Sequence, residues 1–282
     1  MNGLQYRLIL EFEFELGEKV KIFRIVMLVS ASIGIFAAVA LATPPDSDVP
    51  TTTTIESDSS KQAKNAVLEM SKYLRTLPSF SVHGTSTIDT FLDSGQLIQQ
   101  NRTITLKAKK QTKFWAETVN AYGRQEFFFD GNTFTLHTDS TNYYASMEVK
   151  ENSAKALVQL QQRYDIKMPL SDLFILGTEV ANHKPITAAV IVGDAMISDV
   201  PCTQYAFQNA DMDWQIWIQN GTEKLPLKML FVSNNDKNKP RYEVLLDWNL
   251  APDLSTTQFV FSPNNDDIQI KFKAYTVQPE TN

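Results

Sequence analysis

The stretch Asp211-Met212-Asp213-Trp214-Gln215-Ile216-Trp217-Ile218-Gln219-Asn220-Gly221-Thr222 decides the fold class. Trp214, Ile216 and Ile218 alternate with Gln215, Trp217 and Gln219. The two-residue period of a strand therefore sends a wholly apolar set to one face and a mixed set to the other. Asn220-Gly221 tolerates positive φ and predicts a tight hairpin, after which Leu227, Met229 and Phe231 alternate on the return strand. The expectation is that Trp214, Ile216, Ile218, Leu227, Met229 and Phe231 share a concave face while Gln215 and Gln219 meet water. Trp217 shares the outer face, where it either packs under a long neighbouring side chain or marks a partner surface.

Strands are predicted on both sides of this pair: about Ala188 to Ile197 and Thr203 to Gln208 before it, Tyr242 to Trp248 after it, and Phe259 to Phe261 as a last edge strand. Further upstream, Phe80, Val82, Ile88 and Leu92 fall on one parity. Ile104, Leu106 and Ala108 follow on a return strand, and Phe114–Asn120, Arg124–Phe129, Thr133–His137 and Asn142–Met147 continue an antiparallel meander. Helical spacing appears three times. Lys61 to Leu77 has Ser59 or Ser60 as N-cap and Pro78 as its stop; a second helix falls between Asn152 and Tyr164; a short third begins at Pro169 and runs to Phe174.

The 282 residues are 43% hydrophobic and 21% charged, enough for a sizeable core. A formal charge of −6 and a pI near 5.2 exclude a counterion-displacing surface for nucleic acid or anionic membrane. Cys202 is the one cysteine, so neither an internal disulfide nor a thiolate zinc cluster can form. With no basic neighbour in sequence it is expected to be a buried, inert thiol.

At the N-terminal end, Lys19, Lys21 and Arg24 precede an apolar run from Ile25 to Leu41, and Ala40-Leu41-Ala42 supplies small residues for cleavage after Ala42. This is the order of parts in a secretory signal peptide. Met1 to Glu18 has no role in such a signal, and initiation at Val20 would account for it. The predicted organisation is 1–42 extension and signal peptide, 43–60 flexible Thr/Ser/Pro-rich leader, 61–263 one domain, and 264–282 tail, with Ile268, Ile270 and Phe272 able to add a strand.

Sites for chemistry are sparse. His83, His137 and His183 are scattered without a second ligand at metal spacing on a common predicted element, so no metal or cofactor is expected. Asp211 and Asp213 share a strand face, but a pair of this kind is commonly the hydrated start of a strand. No nucleophile elbow, phosphate loop, dinucleotide fingerprint or zinc-protease motif occurs, and the chain reads as a non-enzyme. Asn101-Arg102-Thr103 and Asn220-Gly221-Thr222 match the glycosylation pattern and read as strand and turn chemistry. The aromatic residues are more informative. Trp115, Phe127, Phe129, Trp214, Tyr242 and Trp248 all fall on predicted strands, which one curved sheet could aim at a single concave face or spend on an ordinary core.

Leu68-Glu69-Met70-Ser71-Lys72-Tyr73-Leu74 with Leu77-Pro78-Ser79-Phe80, then Tyr164-Asp165-Ile166-Lys167-Met168-Pro169-Leu170-Ser171-Asp172-Leu173, Val200-Pro201-Cys202, Asp213-Trp214-Gln215-Ile216-Trp217-Ile218 and Asp247-Trp248-Asn249-Leu250 together resemble the bacterial predicted-periplasmic family of domain of unknown function 2092, from about Ala63 to Pro263. That family is similar in layout to the periplasmic lipoprotein-carrier superfamily. The likeness implies a mainly β, α+β fold: a curved antiparallel half-barrel sheet with a helical lid on its concave face. In the carriers it further implies acyl chains between sheet and helices and a basic gating residue; Arg75 and Arg124 are candidates for it by residue type alone.

The function expected is that of an exported periplasmic protein binding a lipid, a lipoprotein acyl chain or another hydrophobic small molecule. The expected cavity residues are Trp115, Phe127, Phe129, Trp214, Ile216, Ile218, Leu227, Met229, Phe231, Tyr242 and Trp248. The alternative is an interaction or sensor module with a filled core and an envelope protein as partner. Contact with membrane is expected to be transient at most.

Overall fold

A computed structural model describes residues 8–14, 21–27, 57–183 and 185–274. The apolar run beyond Met27, the cleavage point after Ala42, the leader up to residue 56 and the chain from residue 275 lie outside the described residues. Near the N-terminus, β1 (Leu8–Phe14) pairs antiparallel with β2 (Lys21–Met27), a two-stranded sheet of its own that carries Lys21 and Arg24.

Helix α1 (Asp58–Thr76) starts three residues before its expected position, because Ser57 rather than Ser59 or Ser60 is the N-cap; its hydroxyl accepts from the Ser60 amide at 3.2 Å. Ala63, Val67, Met70 and Leu74, spaced at helical intervals, form its buried stripe. The chain then runs through six strands: β3 (Ser79–Phe91), β4 (Leu97–Lys109), β5 (Lys113–Asn120), β6 (Gly123–Phe129), β7 (Thr133–Thr138) and β8 (Tyr143–Glu148). Helices α2 (Ser153–Tyr164) and α3 (Asp172–Ile175) interrupt the sheet. Asn152 caps the first, and Asp165 in the left-handed region ends it. A second meander follows: β9 (Ala188–Ile197), β10 (Val200–Gln208), β11 (Met212–Gln219), β12 (Pro226–Ser233) and β13 (Arg241–Asn249).

These strands form one open sheet in the order β14-β8-β7-β6-β5-β4-β3-β13-β12-β11-β10-β9, where β14 is Ile268–Ile270. The β3–β13 pairing welds the two meanders, with Val82 opposite Trp248 and Gly84 opposite Leu246. Every pairing is antiparallel except β14 on β8, so the sheet is mixed at one edge. Register shifts at Gln204/Tyr205 and Trp217/Ile218 add residues to one strand of a pair, which raises local twist and curls the sheet.

The concave face holds the core. Phe80, Val82, Ile104, Leu106, Ala108, Phe114, Ala116, Phe127, Phe129 and Phe134 are buried there against the helices. Phe174 of α3 reaches Phe114 at 5.5 Å and Phe80 at 6.4 Å between ring centroids. Each such side chain contributes roughly 1.5–3 kcal/mol on leaving water. The loop after α3 approaches α1 closely: Ser71 Oγ donates to the Leu176 carbonyl at 2.6 Å, and a Cβ on Gly177, whose φ is +69°, would stand 2.7 Å from the Ser71 Cβ. Glycine is required there by both space and dihedral.

Three expectations are corrected. Asn220-Gly221 does not make a tight hairpin: residues 220–225 form a longer loop, closed by the Gln219 amide on the Leu225 carbonyl at 2.8 Å. Phe259–Phe261 is not an edge strand. It follows a 3-10 turn (Thr256–Phe259) on the convex side, where Phe261 packs on Phe128 at 5.3 Å and Tyr144 at 4.9 Å. Finally, the described part of the tail is packed rather than free, with Phe272 at 6.0 Å from Phe134 and 5.7 Å from Tyr164.

Candidate functional site

Opposite β13 and β12, one end of the concave face stays open. The Leu227 side of β12 meets Leu246 and Trp248 of β13, which share a face because they lie two apart on one strand. Val200 and Ile197, flanking the β9–β10 turn, form the opposite wall, with Leu225 and Leu250 entering from loops. Together with Ser198, Gln219, Glu223 and Asp247 they enclose a cleft of about 560 Å³. That lies within the usual range for small-molecule sites, roughly 300–1,000 Å³.

Cys202 and Phe207 of β10 have opposite parity and are both buried, so the strand is covered on both faces. The register shift against β9 leaves Val192 of β9 as the extra residue, and beyond it Ile197 and Val200 reach the cleft. Trp248 is held in the wall by its indole N–H, which donates to the Pro226 carbonyl at 2.8 Å, and by its ring, 5.4 Å from Phe80. Tyr73 of α1 is close enough to Glu223 to feel it: burial first, then that carboxylate, push the Tyr73 hydroxyl above its ordinary pKa. The loop of the cleft and the last turns of α1 are therefore neighbours. Glu223, on the loop, brings a carboxylate to the lining, whereas Asp247 alternates with Leu246 and Trp248 along β13.

The expected cavity residues separate into four groups. Leu227 and Trp248 line the cleft. Phe127, Phe129, Trp214, Ile216, Ile218 and Met229 are buried within the core cluster, where Met229 lies opposite Ile216 and Trp214 stacks on Phe207 at 4.1 Å. Phe231 and Tyr242 are half-buried and stack on one another at 6.1 Å toward the other end of the face. Trp115 requires a correction. It alternates with the buried Phe114 and Ala116 and so points to the convex face, where Lys107 stands 5.0 Å over its ring and its N–H donates to Glu126 Oε1 at 3.2 Å.

Trp217 also lies on the convex face, 9% exposed, with the Lys228 ammonium 5.0 Å over its ring. Of its two sequence readings, packing under a long side chain is the one realised. Gln204 donates to Gln215 on the same face at 2.8 Å. Asp213 accepts from Gln208 at 2.8 Å and Asn234 at 2.9 Å, bonds that hold its carboxyl below the usual range. It is spent on strand-end hydrogen bonding. Neither arginine faces the cleft: Arg124 binds Glu117 at 3.1 Å on the convex side, and Arg75 donates to Ser71 within α1.

At the Tyr242 end, burial and the nearby Asp172 carboxylate push the Tyr242 hydroxyl up to about 12. Burial likewise pushes Asp172 above the ordinary carboxylate value. The signals for the cleft itself were in the sequence but dispersed: Leu225, Leu246, Leu250, Val200 and Ile197 sit at strand ends and in loops, where periodicity says least.

A family model described as predicted periplasmic protein (DUF2092) matches residues 63–273. No curated protein matches the chain. Among solved structures, an uncharacterized conserved protein from Thermus thermophilus is 10% identical over 74% of this chain and 99% of its own, with a TM-score of 0.44. LprF from Mycobacterium bovis is 13% identical over 74% and 99%, with a TM-score of 0.39. The LolA superfamily protein NE2245 from Nitrosomonas europaea is 12% identical over 71% and 98%, with a TM-score of 0.35.

Proposed function

We propose, from the premise that the chain belongs to the predicted periplasmic protein family DUF2092, that it is an exported, non-enzymatic binder of an acyl chain, held in the cleft at the end of the concave face. The observation that carries this reading is the cleft itself: a concave volume walled by Leu225, Leu227, Leu246, Trp248, Leu250 and Val200, with Ser198, Gln219, Glu223 and Asp247 sharing the lining. The apolar part of the wall suits a hydrocarbon chain, which gains roughly 0.8 kcal/mol for each methylene it removes from water.

The rim narrows the ligand class. Glu223 would repel a free carboxylate brought to the mouth, so an esterified acyl chain with a neutral head fits better than a fatty acid. Export follows the N-terminal signal, with cleavage after Ala42 and a mature chain starting at Thr43. The other expected residues of the concave face support the binding wall from behind rather than meeting ligand.

A second reading, a protein-interaction module, is favoured by two features. The middle of the concave face is filled by the protein's own side chains, with Ile216 and Met229 almost wholly buried. The edge strand β9 exposes Val190, Val192 and Met196, apolar side chains at an edge that a partner could cover.

Native mass spectrometry of the protein released from a periplasmic extract tests the first reading. The expected spectrum has the mass of the chain from Thr43 plus a lipid-sized adduct that leaves on delipidation. An adduct-free chain under gentle ionisation would favour the interaction module, and a mass that retains the apolar run would overturn cleavage.

A further inference from the structure

The convex face of β6 and β7, on the opposite side of the sheet from the cleft, carries a second constellation. Glu126 and His137 are direct cross-strand partners, and Asp139 lies two residues beyond His137, in the turn that follows β7. His137 Nδ1 stands 3.4 Å from Glu126 Oε2 and 3.5 Å from Asp139 Oδ1, and the three atoms all lie within 4.8 Å of one another. Its other ring nitrogen, Nε2, is 3.0 Å from Asp267 Oδ1. The Nδ1 side of the imidazole, Glu126 Oε2 and Asp139 Oδ1 thus turn three ligand-type atoms toward one region, while Asp267 occupies the far side of the ring.

We propose that His137 Nδ1, Glu126 Oε2 and Asp139 Oδ1 hold a divalent transition-metal ion of the zinc type. The spacing fits: with bonds of about 2.1 Å, ligand atoms on a tetrahedron stand about 3.4 Å apart. Each ligand is also oriented through its other atom, as metal sites require. Trp115 donates to Glu126 Oε1 at 3.2 Å; Arg124 lies 3.5 Å from Asp139 Oδ2; Asp267 holds the far side of the imidazole while its own second oxygen accepts the Asn264 amide at 2.6 Å.

Charge points the same way. Glu117 and Glu126 are directly opposed across β5 and β6, a pairing of like charges that destabilises a sheet unless neutralised, and Arg124 is shared between Glu117 and Asp139. Burial grades outward, from the Asp267 side chain at 3% exposed and His137 at 8% to Asp139 at 44%. The Asp139 side therefore gives the ion its path in, and leaves a fourth position for water. One imidazole with two carboxylates suits zinc and its neighbours better than calcium or magnesium, which take oxygen ligands throughout.

The site's consequence is mechanical. Phe261 lies 5.1 Å over the His137 ring and Asp267 leads into β14, so a bound ion would fix the C-terminal segment to the convex face through His137.

Isothermal titration of the full mature protein with zinc chloride, after chelator treatment and dialysis, tests the proposal. The expected result is one site per chain, weakened at least tenfold in Glu126→Gln and in Asp139→Asn. Both variants keep the shape of the parent and, in the first, the acceptor for Trp115. Cobalt(II) titration should give the intense visible bands of a tetrahedral site in wild type and lose them in both variants. Far-UV circular dichroism in chelator, unchanged between the three proteins, shows that lost binding is not lost folding. No zinc heat with wild type, meaning that a proton alone bridges the cluster, would overturn the proposal; so would equal affinity in all three proteins.

Discussion

Asp89 accepts from Arg241 Nε at 2.7 Å and from Gln99 at 3.2 Å, tying β3 to both of its neighbours. Burial pushes its carboxyl up, but those hydrogen bonds and the guanidinium charge outweigh it and hold the pKa below 3.8. Asp172 is the opposite case, raised by burial. The two work on different limbs of a pH profile. A depressed carboxylate gives stability that is present above about pH 4 and is lost as pH falls through its folded value. A raised one gives stability that is full below about pH 4 and is lost as pH rises through its folded value. Urea melts from pH 3 to 7 should therefore show Asp89→Asn less stable than wild type at pH 7, the gap closing toward pH 3, and Asp172→Asn more stable at pH 7, that gap also closing toward pH 3. Parallel curves for all three proteins would contradict these assignments. Cys202 gives a second prediction. Its thiol is fully buried, donates to the Ala195 carbonyl at 3.4 Å, and is pushed to a higher pKa by burial. A thiol reagent should label it slowly in the native protein and quickly in urea, and Cys202→Ser should cost about 1–3 kcal/mol. Fast native labelling would show an opening that the fold does not provide.

At the scale of elements, parity was the legible signal and irregularity the illegible one. Trp214, Ile216 and Ile218 are buried as their alternation implies, and Lys228 over Trp217 follows from the same register. Trp115 was assigned to the cavity by residue type; the parity of Phe114 and Ala116 beside it already placed it on the outer face. Bulges are a different matter. The extra residues are Val192 of β9 and Leu227 of β12, and the marks they leave, Gly193 and Pro226 beside them, lie on the partner strands of the regular alternation that was read. His137 escaped notice for a related reason: its partners come from the neighbouring strand and from residue 267, and only the β6–β7 register brings them together. The filled centre of the face can be tested directly. Ile216 has no exposed surface, so Ile216→Ala should cost about 2–5 kcal/mol in a urea melt through the cavity left behind. A loss under about 1 kcal/mol would mean that the helices do not close tightly on β11.

For the whole molecule, the order of helix, meander, inserted helices and second meander was readable from changes of period between 3.6 and 2, and the observed strand order realises it. What periodicity did not carry was the path from residue 251 across the convex face at Phe261, along β8 and round to Phe134 and Tyr164 at Phe272, since a segment with a 3-10 turn and a three-residue strand has no period to read. The half-open shape has a functional reading of its own. With the centre of the concave side packed, ligand is left the end between β12, β13 and the β9–β10 turn, where the walls come from strand ends. The measurement that tests this most directly is a titration of the mature protein with a fluorescent monoacylglycerol beside the corresponding free fatty acid, in wild type and in Leu227→Glu. The account predicts saturable binding of the ester, weaker binding of the acid because of Glu223, and at least a tenfold loss of ester affinity in the variant. Equal affinity of wild type and Leu227→Glu for the ester would contradict it.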